Sequence, residues 1–295
     1  MNAPTPPKIT PSEGKQAVKQ ARSNSDIVVL SITFIVLLFM TSVYFIVSSI
    51  AESISSGRGG FSDAIIAGVS GLMIGGFVFL LLLGLGMFIV RMQRQIVLGN
   101  CLEVEYSDYA WLRDWSNSVA ADFRLPQVEI LITQDPYINA YAFGFIRPYN
   151  IVLHSGSIRY LTDDELRVVV VHEMAHIKYG HTGAMVYLQP FMAIPVVGAV
   201  AGWISGFWQR RAEYTADRLA LTYTRNPELV KQSLIKVHVG PDAAKYMNDV
   251  ARQWLQHKAE RPMNHFAQTF SSHPFLVRRL SHIDKFARIF GISSV

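Results

Sequence analysis

The chain has 295 residues, with 27 Lys and Arg against 22 Asp and Glu for a formal charge of +5, and half of it is apolar. So large an apolar share excludes a wholly disordered chain, and basic residues that do not cluster with aromatics exclude a nucleic-acid surface. The lone cysteine, Cys101, excludes an intramolecular disulfide and fits a reducing compartment; a buried thiol is expected there, with juxtamembrane palmitoylation as the alternative.

Residues 1–26 contain Pro, Ser and the cations Lys8, Lys15, Lys19 and Arg22, and are expected to form a disordered basic tail. Ile27–Ile50 is 24 residues without a charge and Ala64–Val90 is 27. At about 1.5 Å per helical residue each can cross about 30 Å of hydrocarbon, so a hairpin of two transmembrane helices is expected over 27–90. The first run is too long, and follows too much polar chain, for a cleaved leader. Gly71 and Gly75 form a GxxxG pair, which predicts close packing within the hairpin. Arg91 and Arg94 follow the second run, whereas the loop between the runs holds Arg58 offset by Glu52 and Asp63. That asymmetry places both termini in the cytoplasm, with the net charge drawn to anionic lipid.

Residues 91–295, about 200 in all, suffice for one domain with its own core. Asp108–Phe123 has helical periodicity with Trp111, Trp115 and Val119 on one face; Val128–Thr133 reads as a strand, as do the segment near Asn139 and that at Ile151. A small sheet is therefore expected beside the helices. Thr162 and Glu165 form a capping box ahead of apolar Leu166, Val169 and Val170, which starts a helix near Asp163 despite the run Val168–Val171. Residues 226–258 and 275–290 also read as helices.

The helix from Asp163 carries His172-Glu173-Met174-Ala175-His176. Two His at i and i+4 share a face and can both reach one Zn²⁺, while Glu173 stands beside them to activate a water. A catalytic zinc takes three protein ligands and leaves one position open. Thr182 and Tyr179 stand where the metzincin pattern needs His and Gly, so the third ligand lies elsewhere. Glu213 and Asp217, 37 and 41 residues beyond His176, are spaced i, i+4 on a second expected helix. They suit one carboxylate on the metal and one behind it, although such a pair alone is more often a solvated acidic face. Between these motifs Met185–Trp208 is a third uncharged run of 24 residues, holding Pro190 and Pro195. A single crossing would put His176 and Glu213 on opposite sides of a bilayer. A hydrophobic membrane-associated hairpin over 183–208 is expected instead.

The chain resembles the membrane zinc metallopeptidases that include the HtpX heat-shock protease and the type I CAAX prenyl protease. Asn139-Ala-Tyr-Ala-Phe-Gly is similar to that family's N-A-x-A-x-G edge-strand segment, Ile151-Val-Leu-His-Ser-Gly to its next strand and turn, and Leu161-Thr-Asp-Asp-Glu-Leu to the approach to its zinc helix. Glu213-Tyr-Thr-Ala-Asp is similar to its E-x-x-A-D third-ligand motif and His273-Pro-Phe-Leu-Val-Arg-Arg to its late H-P-x-x-x-x-R, with Phe275 where the family commonly repeats Pro. The resemblance runs over residues 106–285 in the family's order.

It implies an α+β fold: a mainly helical zincin-like metallopeptidase domain with a small β-sheet, preceded by the transmembrane hairpin. It implies one Zn²⁺ per chain on His172, His176 and Glu213, with Asp217 orienting a ligand imidazole. Glu173 is the expected base, His273 an oxyanion donor, and Asn139, Ala140, Tyr141 and Ala142 the edge that binds an extended polypeptide; an ordinary edge strand with a turn at Gly144 is equally compatible with these residues. The expected function is quality control of membrane proteins by an endopeptidase in a bacterial inner membrane, its site on the cytoplasmic side. Processing of a lipidated substrate, or an inert adaptor that keeps the zinc fold, are the alternatives.

Overall fold

The computed structural model describes residues 11–143, 147–194, 196–259, 261–264, 271 and 273–292. After a short first helix, α1 (Pro11–Ala21), come two apolar helices, α2 (Asn24–Ser55) and α3 (Phe61–Asn100), each long and apolar enough to cross a membrane. They pack as a hairpin through their small residues. A Cβ on Gly71 would lie 2.7 Å from the Ile46 Cα, and one on Gly75 would lie 2.9 Å from the Ser42 Cα, so the two backbones touch only because these side chains are missing. Outward-facing apolar side chains such as Ile35, Phe39, Met73, Phe77 and Leu80 are exposed along both helices.

At about 1.5 Å per residue α3 is about 60 Å long, twice a bilayer core. Its last ten residues leave the apolar run and reach the domain, where Arg94 donates to the Asn150 Oδ1 (3.3 Å) and pairs with Glu129 (3.7 Å). The hairpin is thereby tied to the sheet.

Part of the tail expected to be disordered is ordered. Residues 1–10 lie outside the described residues, but Pro11–Ala21 is helix α1, with Ala17 and Ala21 buried. Its sequence reads as polar because its buried stripe consists of Gly14, Ala17 and Ala21, small residues that contribute little to hydrophobic patterning yet permit close approach, with Val18 half-buried beside them. A Cβ on Gly14 would lie 2.6 Å from the Asp122 Cβ. The Tyr179 hydroxyl donates to the Val18 carbonyl (2.8 Å) and Arg218 to that of Ala21 (2.9 Å).

The sheet has four strands in the order β1-β2-β4-β3: β1 (Leu102–Glu103), β2 (Val128–Thr133), β3 (Ala140–Phe143) and β4 (Tyr149–His154). Its central pair, β2 and β4, is parallel, while β3 pairs antiparallel with β4 and ends the sheet. Helix α4 (Ala110–Asp122) packs Leu112, Trp115 and Val119 into the core, and α5 (Ser155–Tyr160) leads to α6 (Asp163–Lys178). Thr162 caps α6 as its spacing with Glu165 requires: the Glu165 N–H donates to the Thr162 Oγ1 (3.3 Å), and the Thr162 N–H to the Glu165 carboxylate (2.9 Å). Val168–Val171 is helical and buried on every side, so four β-branched residues do not make it a strand.

After α6, Gly180 (φ 74°) turns the chain into α7 (His181–Leu188). A 3₁₀ turn over Gln189–Ala193 follows, then α8 (Val197–Thr224). The uncharged run 185–208 thus reverses as two short arms, with Pro190 in its turn; Pro195 lies outside the described residues. The arms lie against the hairpin: Phe191 meets Phe79 (ring centroids 5.1 Å apart), and Leu37, Leu188, Val197 and Trp208 share one buried cluster. The expected helix over 226–258 is interrupted. Gly240 (φ 83°) ends α9 (Pro227–Val239), Pro241 starts the single turn α10 (Pro241–Ala244), and α11 (Asp249–Ala259) follows. Helix α12 (Leu276–Phe290) returns to the core through Val277, Leu280 and Ile283.

Candidate metal centre

Helix α6 puts His172 and His176 one turn apart on the face turned to α8, and α8 answers with Glu213 and, one turn on, Asp217. The His172 Nε2 lies 3.3 Å from the His176 Nε2 and 3.3 Å from the Glu213 Oε2; the His176 Nε2 lies 3.8 Å from the Glu213 Oε1. A tetrahedral Zn²⁺ with bonds of about 2.0–2.1 Å has donor–donor edges of about 3.3–3.4 Å. Each imidazole nitrogen meets a different oxygen of the Glu213 carboxylate, and one ligand atom from each of the three residues lies within 4.8 Å of the other two, so the residues present fit a metal of this kind after a small rotation of that carboxylate.

Asp217 stands behind this triangle, its Oδ1 3.1 Å from the His172 Nδ1, where a carboxylate that accepts the N–H leaves the Nε2 lone pair facing inward. Arg279 of α12 reaches both carboxylates, donating to the Asp217 oxygens at 2.6 and 2.8 Å and pairing with the Glu213 Oε2 at 2.9 Å. Burial opposes charge on the two acids, but Arg279 and His172 outweigh it and hold both below the usual carboxylate range. Burial likewise opposes charge on His172, yet the hydrogen bonds to Asp217 and Glu213 raise it to about 10.

Glu173, the next residue along α6, lines both cavities beside the centre together with Glu213 and His273. Burial raises its carboxyl to about 7, and its Oε2 accepts the Ala142 N–H at 2.8 Å. The Asn139 carbonyl accepts from the His154 N–H (3.0 Å), so by antiparallel alternation Ala140 and Ala142 turn their backbone groups to the free edge of β3, away from β4. Tyr141 faces back, its ring edge-on to His154 (6.0 Å). Asn139 sits at the start of the edge, with its N–H bonded to the Ser157 hydroxyl (2.9 Å); Gly144, where a turn is expected, lies outside the described residues.

His273 approaches Glu213, its Nδ1 3.2 Å from the Oε1, and this bond raises its pKa. Two residues given no role at the level of sequence join the cluster. Arg279 closes the H-P-x-x-x-x-R motif, so its position was legible and its partners were not. His181, five residues past His176 and just after Gly180, places its Nδ1 3.1 Å from the His176 Nδ1. Two cavities open on the centre. One of about 340 Å³ has an apolar wall of Val168, Val169, Val230 and Leu234; the other, about 330 Å³, lies between the β3 edge, Val90 of α3 and Trp208 of α8.

Residues 107–287 match the model of Peptidase family M48. A protease HtpX homolog of Bacteroides fragilis is 26% identical, over 55% of this chain and 64% of that protein. The plastoglobule-localized metallopeptidase 48 of Arabidopsis thaliana is 31% identical, over 54% of this chain and 52% of its own length. The crystal structure of S. mikatae Ste24p is similar at 18% identity and a TM-score of 0.44, covering 76% of this chain and 66% of that one; so remote a likeness carries no argument. The matched region thus spans less than two thirds of these relatives' own lengths. The family model, which takes in α6, α8 and every residue of the donor triangle, is decisive: this chain belongs to peptidase family M48.

Proposed function

We propose that the chain is a membrane-bound zinc endopeptidase acting on membrane proteins from the cytoplasmic side. The observation that carries this reading is the donor triangle of His172, His176 and Glu213 beside a free strand edge. When bound there, Zn²⁺ supplies Lewis acidity toward a scissile carbonyl and lowers the pKa of a water. Asp217 keeps the His172 ring in the required tautomer, and Arg279 holds Asp217 and Glu213 in place. Glu173 takes the proton of the attacking water and delivers it to the leaving amine, a task suited to a carboxyl raised to about 7 by burial. His273 stands beside the cleft as the donor for the developing oxyanion.

A substrate joins the sheet as an added strand on the free edge of β3, held by the Ala140 and Ala142 backbone groups in the stretch that begins at Asn139 and includes Tyr141. An incoming carbonyl competes with Glu173 for the Ala142 N–H, so docking releases the carboxylate for its proton transfers.

Membrane residence is supported by the outward apolar faces of α2 and α3, which greatly exceed the few hundred Å² of apolar patch that a soluble monomer exposes. The 183–208 hairpin, packed against these helices as far as Phe79, then seats the centre at the cytoplasmic surface. Quality control is our reading over processing of one lipidated substrate because an edge strand holds an extended peptide through main-chain hydrogen bonds irrespective of its sequence. An inert adaptor is disfavoured because base, ligands and the orienting carboxylate occur together.

Glu173→Gln tests the chemistry. It should retain zinc and lower peptide hydrolysis by about 10²–10⁴-fold. Proteolysis near the wild-type rate would overturn the assignment, and comparison of membrane proteomes between the two strains would reveal the substrates that accumulate.

A further inference from the structure

The two His of the donor triangle are supported differently. His172 has a carboxylate behind it. The ring behind His176 is another imidazole, His181, which is buried (4% exposed) between the last turn of α6 and Trp208, their rings edge-on with centroids 5.5 Å apart. Gly180 sets this contact: its positive φ ends α6 and folds the first residue of α7 back onto His176.

A neutral imidazole has one N–H and one lone pair. At an Nδ1-to-Nδ1 separation of 3.1 Å one ring donates and the other accepts. The His176 Nε2 points to His172 and Glu213, so it can give its lone pair to a cation only if the proton sits on Nδ1. His181 must then accept at Nδ1 and carry its own proton on Nε2. The opposite arrangement would place a proton on the His176 Nε2 and block the ligand.

We infer that His181 is a positioning residue for the metal, accepting the His176 Nδ1–H and so fixing the ring and tautomer of that ligand. An imidazole can accept in this way without adding a further buried carboxylate to Glu173, Glu213 and Asp217. The inference rests on the proposed metal site, and the test separates the two.

His181→Phe keeps an aromatic ring against Trp208 and removes the acceptor, whereas His181→Gln restores an acceptor without the ring. Zinc affinity of the full-length protein, by chelator competition, should fall about 10–100-fold in His181→Phe and return largely in His181→Gln. The cobalt(II) visible spectrum should change in His181→Phe alone, and its metal-free melting temperature should stay near wild type. Wild-type zinc affinity in His181→Phe, or a Gln variant as weak as the Phe variant, would overturn the role.

Should His181→Phe not fold, nitrogen-15 histidine NMR of the zinc-loaded wild type decides: an unprotonated His181 Nδ1 supports the inference, and a protonated one overturns it. Glu213→Ala, assayed in parallel, should lose zinc. If it does not, the metal site itself is misplaced, which is a different failure from that of His181.

Discussion

Arg279 offers a direct test of the electrostatics. Its guanidinium is 4% exposed and is the cation behind two buried carboxylates, bonded to Asp217 at 2.6 and 2.8 Å and to Glu213 at 2.9 Å. Arg279→Met keeps most of the side-chain volume but leaves both acids without a guanidinium, Asp217 beside His172 and Glu213 among the imidazoles of His172, His176 and His273. Breaking a buried pair in this way costs about 3–5 kcal/mol, or roughly 10²- to 10⁴-fold in the folding equilibrium. A divalent cation on Glu213 replaces part of the lost charge, so the cost should be smaller in zinc-loaded than in metal-stripped protein. Removing a second charge should also help. Arg279→Met with Asp217→Asn should be less destabilised than the sum of the single changes by about 0.5–3 kcal/mol, because the pair is coupled. Denaturation in detergent micelles, followed by the fluorescence of the chain's five Trp, measures all of these. A single variant within about 0.5 kcal/mol of wild type, the scatter of an ordinary surface change, would refute the reasoning, as would equal losses with and without zinc.

The donor triangle predicts severe zinc loss in Glu213→Ala, whereas Asp217→Ala should weaken affinity only about 10–100-fold; full metal occupancy in Glu213→Ala would move the ligand elsewhere. For topology, single cysteines in a Cys101→Ser background should label from opposite sides at Gly59, in the α2–α3 loop, and at Tyr246, and labelling from one side would exclude two spans. His282 is stacked on Tyr214 (4.4 Å) and Phe286 (4.7 Å), and burial lowers its pKa to about 4. The unfolded chain therefore binds a proton before the folded one does. The stability His282 contributes is complete above about pH 6.5 and lost as pH falls toward about 4. His282→Phe should flatten stability against pH in that window, and an unchanged slope would refute the assignment.

Local chemistry made much of the molecule legible in one dimension. Uncharged runs of 24 and 27 residues determine two long apolar helices, whatever surrounds them. The Thr162–Glu165 spacing determines where α6 begins, and i, i+4 periodicity puts His172 with His176, and Glu213 with Asp217, on single helix faces. The reversal within 183–208 follows from the need to keep His176 and Glu213 together.

What only the tertiary structure decided involves partners distant in the chain. Helix α1 was hidden because Gly14, Ala17 and Ala21 bury little apolar area, and their value appears only where α4 and α8 come close. Arg279 lies 62 residues from Asp217, and no local rule says that a cation in a late motif neutralises a carboxylate on another helix. The Glu173 bond to Ala142 spans 31 residues and depends on how β3 pairs with β4. His181 is near His176 in sequence, yet its role turns on one positive φ at Gly180 and on the Nδ1-to-Nδ1 distance. Hydrophobic and helical periodicity report what one element does alone; buried charges and hydrogen bonds are settled by whichever element packs opposite, and that is a property of the assembled fold.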